Sequence, residues 1–235
     1  LWDRLVIRLR CTLLERMPLR GVTKRDVLAD FRRAELIDAA SAVFARKGFA
    51  GASVDEIAKE AGVAKGTVYL YYPSKHDIYW AALESGIVAL DRAIRTAAEA
   101  VMPVSLRGQL LAIARTKLAY FDERRDFFRI YFSELGSQTC EVAAHPRLRP
   151  LYLEQVQFVQ TLVERALARR EIRPCEPRRV AFAIGDLVRG CIRRRLLETD
   201  MPSIDDEAAF IVEVLWNGIG RDGAAPARAG RKDRS

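Results

Sequence analysis

Long apolar runs are missing from this chain of 235 residues. The longest stretches free of Asp, Glu, Lys and Arg are Gly66 to Ser74 and Gln155 to Val163, nine residues each. A membrane-spanning helix needs roughly 20 mostly apolar residues, so a transmembrane reading is excluded. Asp3, Arg4, Arg8 and Arg10 interrupt what would have to be the apolar core of a secretory signal. A cytoplasmic chain without stable membrane association is expected. Histidine and cysteine are scarce as well, at two and four residues. His76 and His145 have no partner at ligand spacing, and Cys11, Cys140, Cys175 and Cys191 lie far apart. Neither a metal site nor a redox pair is written here, and buried free thiols are the plainer reading. The sequence also lacks a Gly-rich phosphate loop, a nucleophile elbow, a His-Glu-x-x-His motif and a carboxylate pair distinct from solvated helix charges. No catalytic residue and no cofactor are therefore predicted, and the chain is not expected to be an enzyme.

What is present is charge and helical periodicity. Lys and Arg number 39 against 31 Asp and Glu, a net charge of +8, and half of the residues are hydrophobic. The excess sits at the ends: +3 over residues 1–30, zero over 31–84, +2 over 85–220 and +3 over 221–235. Residues 221–235 combine Gly, Ala, Arg and Pro without apolar periodicity, which predicts a disordered basic tail. Residues 1–25 are open to several readings. Trp2, Leu5, Val6, Leu9 and Leu13 recur at helical spacing among Arg4, Arg8 and Arg16 before Pro18 and Gly21 break the pattern. A weakly ordered basic arm, an extra helix on the body, a membrane-surface helix and a misplaced translation start all fit.

From Asp26 to Gly218 the pattern is helical and no strand-like alternation persists, so the fold class is all-α. Helices are predicted over Val27–Lys47, Val54–Glu60, Ala64–Tyr71, Lys75–Ala100, Leu106–Asp122, Arg125–Leu135, Pro150–Arg170, Pro177–Leu197 and Ile204–Ile219. The first turns Phe31, Leu36, Ile37, Ala40, Val43 and Phe44 to one side, and Gly48 is placed to end it. Ser53 with Glu56 three positions on has the capping-box spacing.

The run SVDEIAKEAGVAKGTVYLYYPSK, Ser53 to Lys75, is the most informative. Ile57, Ala58 and Ala61 point inward, Gly62 permits a tight turn that can require positive φ, and Val63 and Val68 plug the angle between two helices. The following helix is small and polar at its leading edge, the form of a helix that enters a DNA major groove. The segment resembles the TetR family of bacterial transcriptional regulators. The resemblance rests on Ala61 to Lys75, on Glu56-Ile57-Ala58, and on Ala-Ala-x-x-Val-Phe-Ala-x-x-Gly-Phe from Ala39 to Phe49, about fifty residues together. Two departures are Tyr72 in place of the family's usual Phe and Ile78-Tyr79 in place of a Leu-containing pair. By this resemblance Lys65 and Lys75 would meet phosphates. Thr67 and the backbone at Ala64 and Gly66 would lie against the duplex, and Tyr69 and Tyr71 would contact backbone or bases. Ser53 could touch a phosphate, although capping alone would explain it. Packing within the small domain is the competing role for Tyr72 and, less so, for Tyr69. Arg32 and Arg33 flank these elements, and Arg20, Lys24 and Arg25 would add contacts if the arm is real.

The resemblance divides the chain into a helix-turn-helix domain over 26–74 and a helical regulatory and dimerisation domain over 75–220. It implies a dimer that binds a palindromic operator in double-stranded DNA, most simply as a repressor released by a small apolar or amphipathic effector. The last two helices carry Val180, Ile184, Leu187, Val188 and Cys191, then Phe210, Ile211, Val214 and Leu215. Small residues Ala181, Ala183, Gly185 and Gly190 lie among them. Core within one chain and packing between two chains both fit this pattern. Candidate pocket residues are Tyr120, Phe128, Phe132, Tyr152 and Phe182, with Gln109, Gln155, Asp186 and Arg189 as polar anchors. Asp186 and Arg189, at i and i+3, can also simply pair. The alternative function is a helix-turn-helix regulator whose larger domain only dimerises or binds another protein.

Overall fold

A computed structural model of the chain describes residues 23–124, 146–198 and 200–219. The helix predicted over 125–135, most of the N-terminal arm and the whole C-terminal tail lie outside the described residues. Among these residues there are eight helices and no β-strand: α1 (Lys24–Gly51), α2 (Val54–Glu60), α3 (Lys65–Tyr71), α4 (Lys75–Glu99), α5 (Leu106–Glu123), α6 (Leu148–Ala168), α7 (Pro177–Leu197) and α8 (Ile204–Ile219).

Local chemistry sets most boundaries. Thr23 and Asp26 form a capping box at the start of α1, and Ser53 with Glu56 forms the expected one at α2. Ser74 accepts from the Asp77 amide at α4, Ser105 from the Gly108 amide at α5, and Glu176 from the amides of Arg178 and Arg179 at α7. α1 runs past the predicted Lys47. Gly48, with φ 69° and ψ 174°, breaks its geometry without ending it, and the chain resumes a last turn to Gly51. Gly62 has φ 68°, the left-handed conformation that the turn between α2 and α3 requires.

Two interiors result. The first gathers Leu36, Ala40, Val43 and Phe44 of α1 with Ile57 and Ala58 of α2, Val68 of α3, and Ile78, Tyr79 and Leu83 of α4. Phe31 departs from the predicted inward face: it is 43% exposed, because the first turns of α1 project beyond the helices that bury Leu36 onward. The second interior joins Leu90 and Ile94 of α4 to α5, α6, α7 and α8, with Ile113, Val159, Ile184 and Trp216 among its members. α4, about 37 Å long at 1.5 Å per residue, thus contributes side chains to both.

The α7 and α8 stripes divide between two surroundings. Ile184, Val188, Cys191 and Ile211 are buried within the chain, and Val180, Leu187 and Leu215 pack against the same cores. The most apolar face of each helix is taken by the chain's own α5 and α6. The opposite face holds Ala183 and Gly190 on α7, with Phe210 (54% exposed) and Val214 (47% exposed) on α8. Buried polar contacts tie these helices together. Arg195 donates to Asp122 Oδ2 (2.8 Å) and to the Pro202 carbonyl (2.8 Å), while Arg194 donates to the buried Glu207 (2.7 and 3.0 Å). Burial and Glu207 push the neighbouring Cys191 thiol up to about 11, so it stays protonated. Cys175 and Cys191 are both free. Among the described residues no helix is long and apolar enough to cross a membrane, and no cluster of three metal-ligating side chains occurs.

Candidate nucleic-acid interface

α3 is fixed from behind. Val68 is almost fully buried and the Tyr72 ring is buried beside it, so Tyr72 packs the small domain; burial raises its phenol pKa. The other side of the helix faces out: Ala64, Lys65 and Gly66 are exposed, Tyr69 is 44% exposed and Leu70 83% exposed. Thr67 and Tyr71 are half-buried between these faces, with the Arg33 guanidinium 5.8 Å from the Tyr71 ring centre. Ala64 at the N-cap offers no side-chain oxygen, which leaves first-turn amides of α3 available to an outside acceptor.

The charges around this face are paired across elements. Lys65 Nζ donates to Asp55 Oδ2 (2.7 Å), a contact that raises the lysine pKa. Arg46 meets Glu60 at 2.6 Å, and Lys47 meets Glu56, whose carboxyl is held below its usual range by Lys47 and Ser53. The acidic residues of α2 are therefore balanced by α1 and α3, which resolves the zero net charge of residues 31–84 into cations that can exchange a surface carboxylate for a phosphate. Ser53 accepts from the Glu56 amide (3.3 Å) and donates to its carboxylate (3.0 Å), so its hydroxyl is engaged in capping. Lys75 is turned inward. Its ammonium donates to the carbonyls of Phe49 (2.8 Å) and Ala52 (3.0 Å) and lies 4.4 Å from the Phe49 ring centre, closing the end of α1. Two of its three donors are occupied there, where the resemblance implied a phosphate contact.

This arrangement is a helix-turn-helix unit with an outward-facing second helix. The sequence profile described as "Bacterial regulatory proteins, tetR family" matches residues 36–82, from the middle of α1 through α3 into the first turns of α4. The chain belongs to the TetR family. It is 27% identical over 192 residues to the HTH-type transcriptional activator FasR of Mycolicibacterium smegmatis, covering 81% of this chain and 84% of that one. It is 30% identical over 136 residues to the HTH-type transcriptional repressor SCO4008 of Streptomyces coelicolor, covering 57% and 66%. The fold resembles the crystal structure of the transcriptional regulator FadR of Bacillus subtilis in complex with stearoyl-CoA, with TM-score 0.68 and 16% identity over 82% of this chain and 99% of that one. This TetR-family chain is a DNA-binding transcriptional regulator and not an enzyme.

The candidate effector residues of this TetR-family chain do not all meet. Tyr152 and Phe182 are neighbours (6.1 Å between ring centres), and the Arg189 guanidinium lies 5.1 Å from the Tyr152 ring centre. Asp186 pairs with Arg189 at 3.3 Å and points outward. Tyr120 donates to the Gly86 carbonyl (3.0 Å), and Gln155 is half-buried on α6. Gln109 is buried and donates to the Ala98 carbonyl (3.2 Å), tying α5 to the end of α4. Phe128 and Phe132 lie outside the described residues. Sequence reasoning passed over Leu70, whose exposure on α3 follows from its place opposite Val68 and Tyr72. It also passed over Lys117, a charge on the apolar stripe between Ile113 and Phe121.

Proposed function

We propose that the chain is a dimeric, ligand-responsive repressor that reads a palindromic operator through α3. The observation that carries this reading is the outward face of α3, with Lys65, Gly66, Tyr69 and Leu70 standing clear of a helix anchored by Val68 and Tyr72. Lys65 supplies a phosphate contact once it leaves Asp55. Tyr69 and Thr67 meet backbone or base edges, and Leu70 fits the apolar methyl of thymine. Ala64, Gly66, Tyr71 and Ser53 lie at the rim of that contact, and Lys75 acts mainly by holding α1.

Residues 26–74 form the DNA-binding domain in this reading, and 75–220 the regulatory and dimerisation domain. The face carrying Ala183, Gly190, Phe210 and Val214 supports dimerisation, since small residues beside exposed apolar ones let helices of two chains approach closely. Two recognition helices would then match half-sites about 34–36 Å apart. An effector favouring one arrangement of the dimer lowers DNA affinity by the same coupling energy, and α4, packed in both interiors, is the element that would carry it.

Fluorescence anisotropy against duplexes tiled across the DNA upstream of the coding sequence, at two salt concentrations, tests the reading. One roughly palindromic segment should bind tightly. Lys65→Ala should leave the melting temperature unchanged and reduce the slope of log K against log salt by about one per chain. Uniform weak binding to every duplex would leave only a general DNA binder.

A further inference from the structure

α4 is one continuous helix shared by two interiors, and the stretch between them has no core of its own. Its buried residues stop at Leu83 in the first interior and resume at Leu90 in the second. None of the residues 84–89 is buried, although together they make about one and two-thirds turns. Ser85 and Gly86 stand within this span. Glycine is the poorest helix former after proline, and Gly and Ser pairs are among the few places where a long helix kinks. α1 meets α4 through the first interior, and α5 and α6 meet it through the second. A bend within the span therefore turns one interior relative to the other without opening either.

Two long-range contacts land on this span, and both come from the larger bundle. The Tyr120 hydroxyl of α5 donates to the Gly86 carbonyl (3.0 Å), and Arg147, the residue before α6, donates to Glu84 Oε2 (2.8 Å). Within a helix the Gly86 carbonyl also serves the amide four residues on, so the hydroxyl takes its second lone pair and braces the ladder at its weakest residue. Arg147 holds the neighbouring turn from a different helix. Neither contact fills a core: the Tyr120 ring already packs against the second interior, and the Arg147 and Glu84 side chains are 42% and 39% exposed. What these bonds fix is the direction of α4 as it leaves the bundle.

We propose that residues 84–89 are a hinge within α4, and that Tyr120 and Arg147 are positioning residues that set its angle and so the placement of α3 relative to the bundle. This rests on the reading of α4 as the coupling element and locates the movement in one span. In a dimer the placement of α3 sets the distance between the two DNA-reading surfaces. A change at the hinge thus alters operator affinity without altering any group that touches DNA.

Hydrogen exchange of the full chain, followed by mass spectrometry, tests the hinge. Peptides covering 84–90 are compared with those covering 75–83 and 91–99 in the wild type, Tyr120→Phe, Arg147→Glu and the reversed pair Glu84→Arg/Arg147→Glu. In the wild type 84–90 should exchange about ten-fold faster than either flank. Tyr120→Phe should raise exchange across 84–90 about five-fold, the factor equivalent to one neutral hydrogen bond, and leave the flanks unchanged. Arg147→Glu, which sets two carboxylates against each other, should raise it about three-fold, and the reversed pair should restore the wild-type rate. Operator binding, read by anisotropy, should weaken about three-fold in Arg147→Glu and recover in the reversed pair. The slope of log K against log salt should stay constant throughout, because no phosphate contact is lost. Exchange at 84–90 as slow as in the flanks, a rise spread evenly over 75–99, or a reversed pair that restores nothing would each overturn the proposal. So would an operator affinity unchanged in Arg147→Glu. A wild type that binds no DNA defeats the regulator reading, while the exchange comparison still decides the hinge.

Discussion

The helix-turn-helix unit and the larger helical bundle place their charges differently. In the former, Arg46–Glu60, Lys47–Glu56 and Lys65–Asp55 lie at the surface around an interior that runs from Leu36 through Phe44 and Ile57 to Ile78. In the latter, Gln109, Arg195 and Glu207 are buried, and so is the Asp91 Oδ1 atom. Apolar packing inside and weak pairs outside leave the surface cations of the first unit free to change partners. The bundle instead holds groups whose desolvation must be offset by partners within the chain.

The contrast can be broken most severely at Phe44, which is fully buried and stacks at 5.2 Å edge-on against Tyr79. Phe44→Ala should cost about 3–5 kcal/mol in urea unfolding and abolish operator binding. Tyr152→Ala, at a half-buried ring beside Phe182, should cost clearly less, and equal costs would erase the distinction. Next comes Arg195→Met, which removes a buried guanidinium that joins Asp122 to the Pro202 carbonyl. A loss of about 2 kcal/mol is expected from thermal melts, since hydrogen bonds made by a charged group contribute about 1.5–3 kcal/mol.

Backbone strain comes third. A Cβ added at Gly48 or at Gly62 would meet no atom within 4 Å, so substitution there reports conformation alone. Gly48→Ala, in a region of φ and ψ reached essentially only by glycine, should cost about 1–3 kcal/mol. Gly62→Ala, in the left-handed helical region, should cost about 1–2 kcal/mol. The smallest effect is a titration. Lys117 sheds its proton near 8 when folded and near 10.5 when unfolded, so the folded chain binds fewer protons between those values. Stability should therefore rise with pH across that window in the wild type relative to Lys117→Met, as read from paired melts. A flat difference would place the ammonium in ordinary solvent.

Much of the local structure was legible. The capping pair Ser53–Glu56, the turn glycine Gly62 and the limits of α2, α7 and α8 all follow from interactions within a few residues of each other, which a linear pattern preserves. Phe31 was misread because periodicity records which face of a helix is apolar and not how far the neighbouring helices extend along it. The stripe of Ile184, Val188 and Cys191 was ambiguous for a related reason: an apolar face does not say whose surface covers it.

Sequence alone thus determined the helical class and the helix-turn-helix segment, because each depends on spacing and on residue types with strong local preferences. Tertiary structure decided the rest. It turned Lys75 onto the end of α1, exposed Leu70, sent the α7 stripe inward and joined Arg195 of α7 to Asp122 of α5. These outcomes depend on which helices meet and at what angle, and distant side chains become partners only when packing has already joined them.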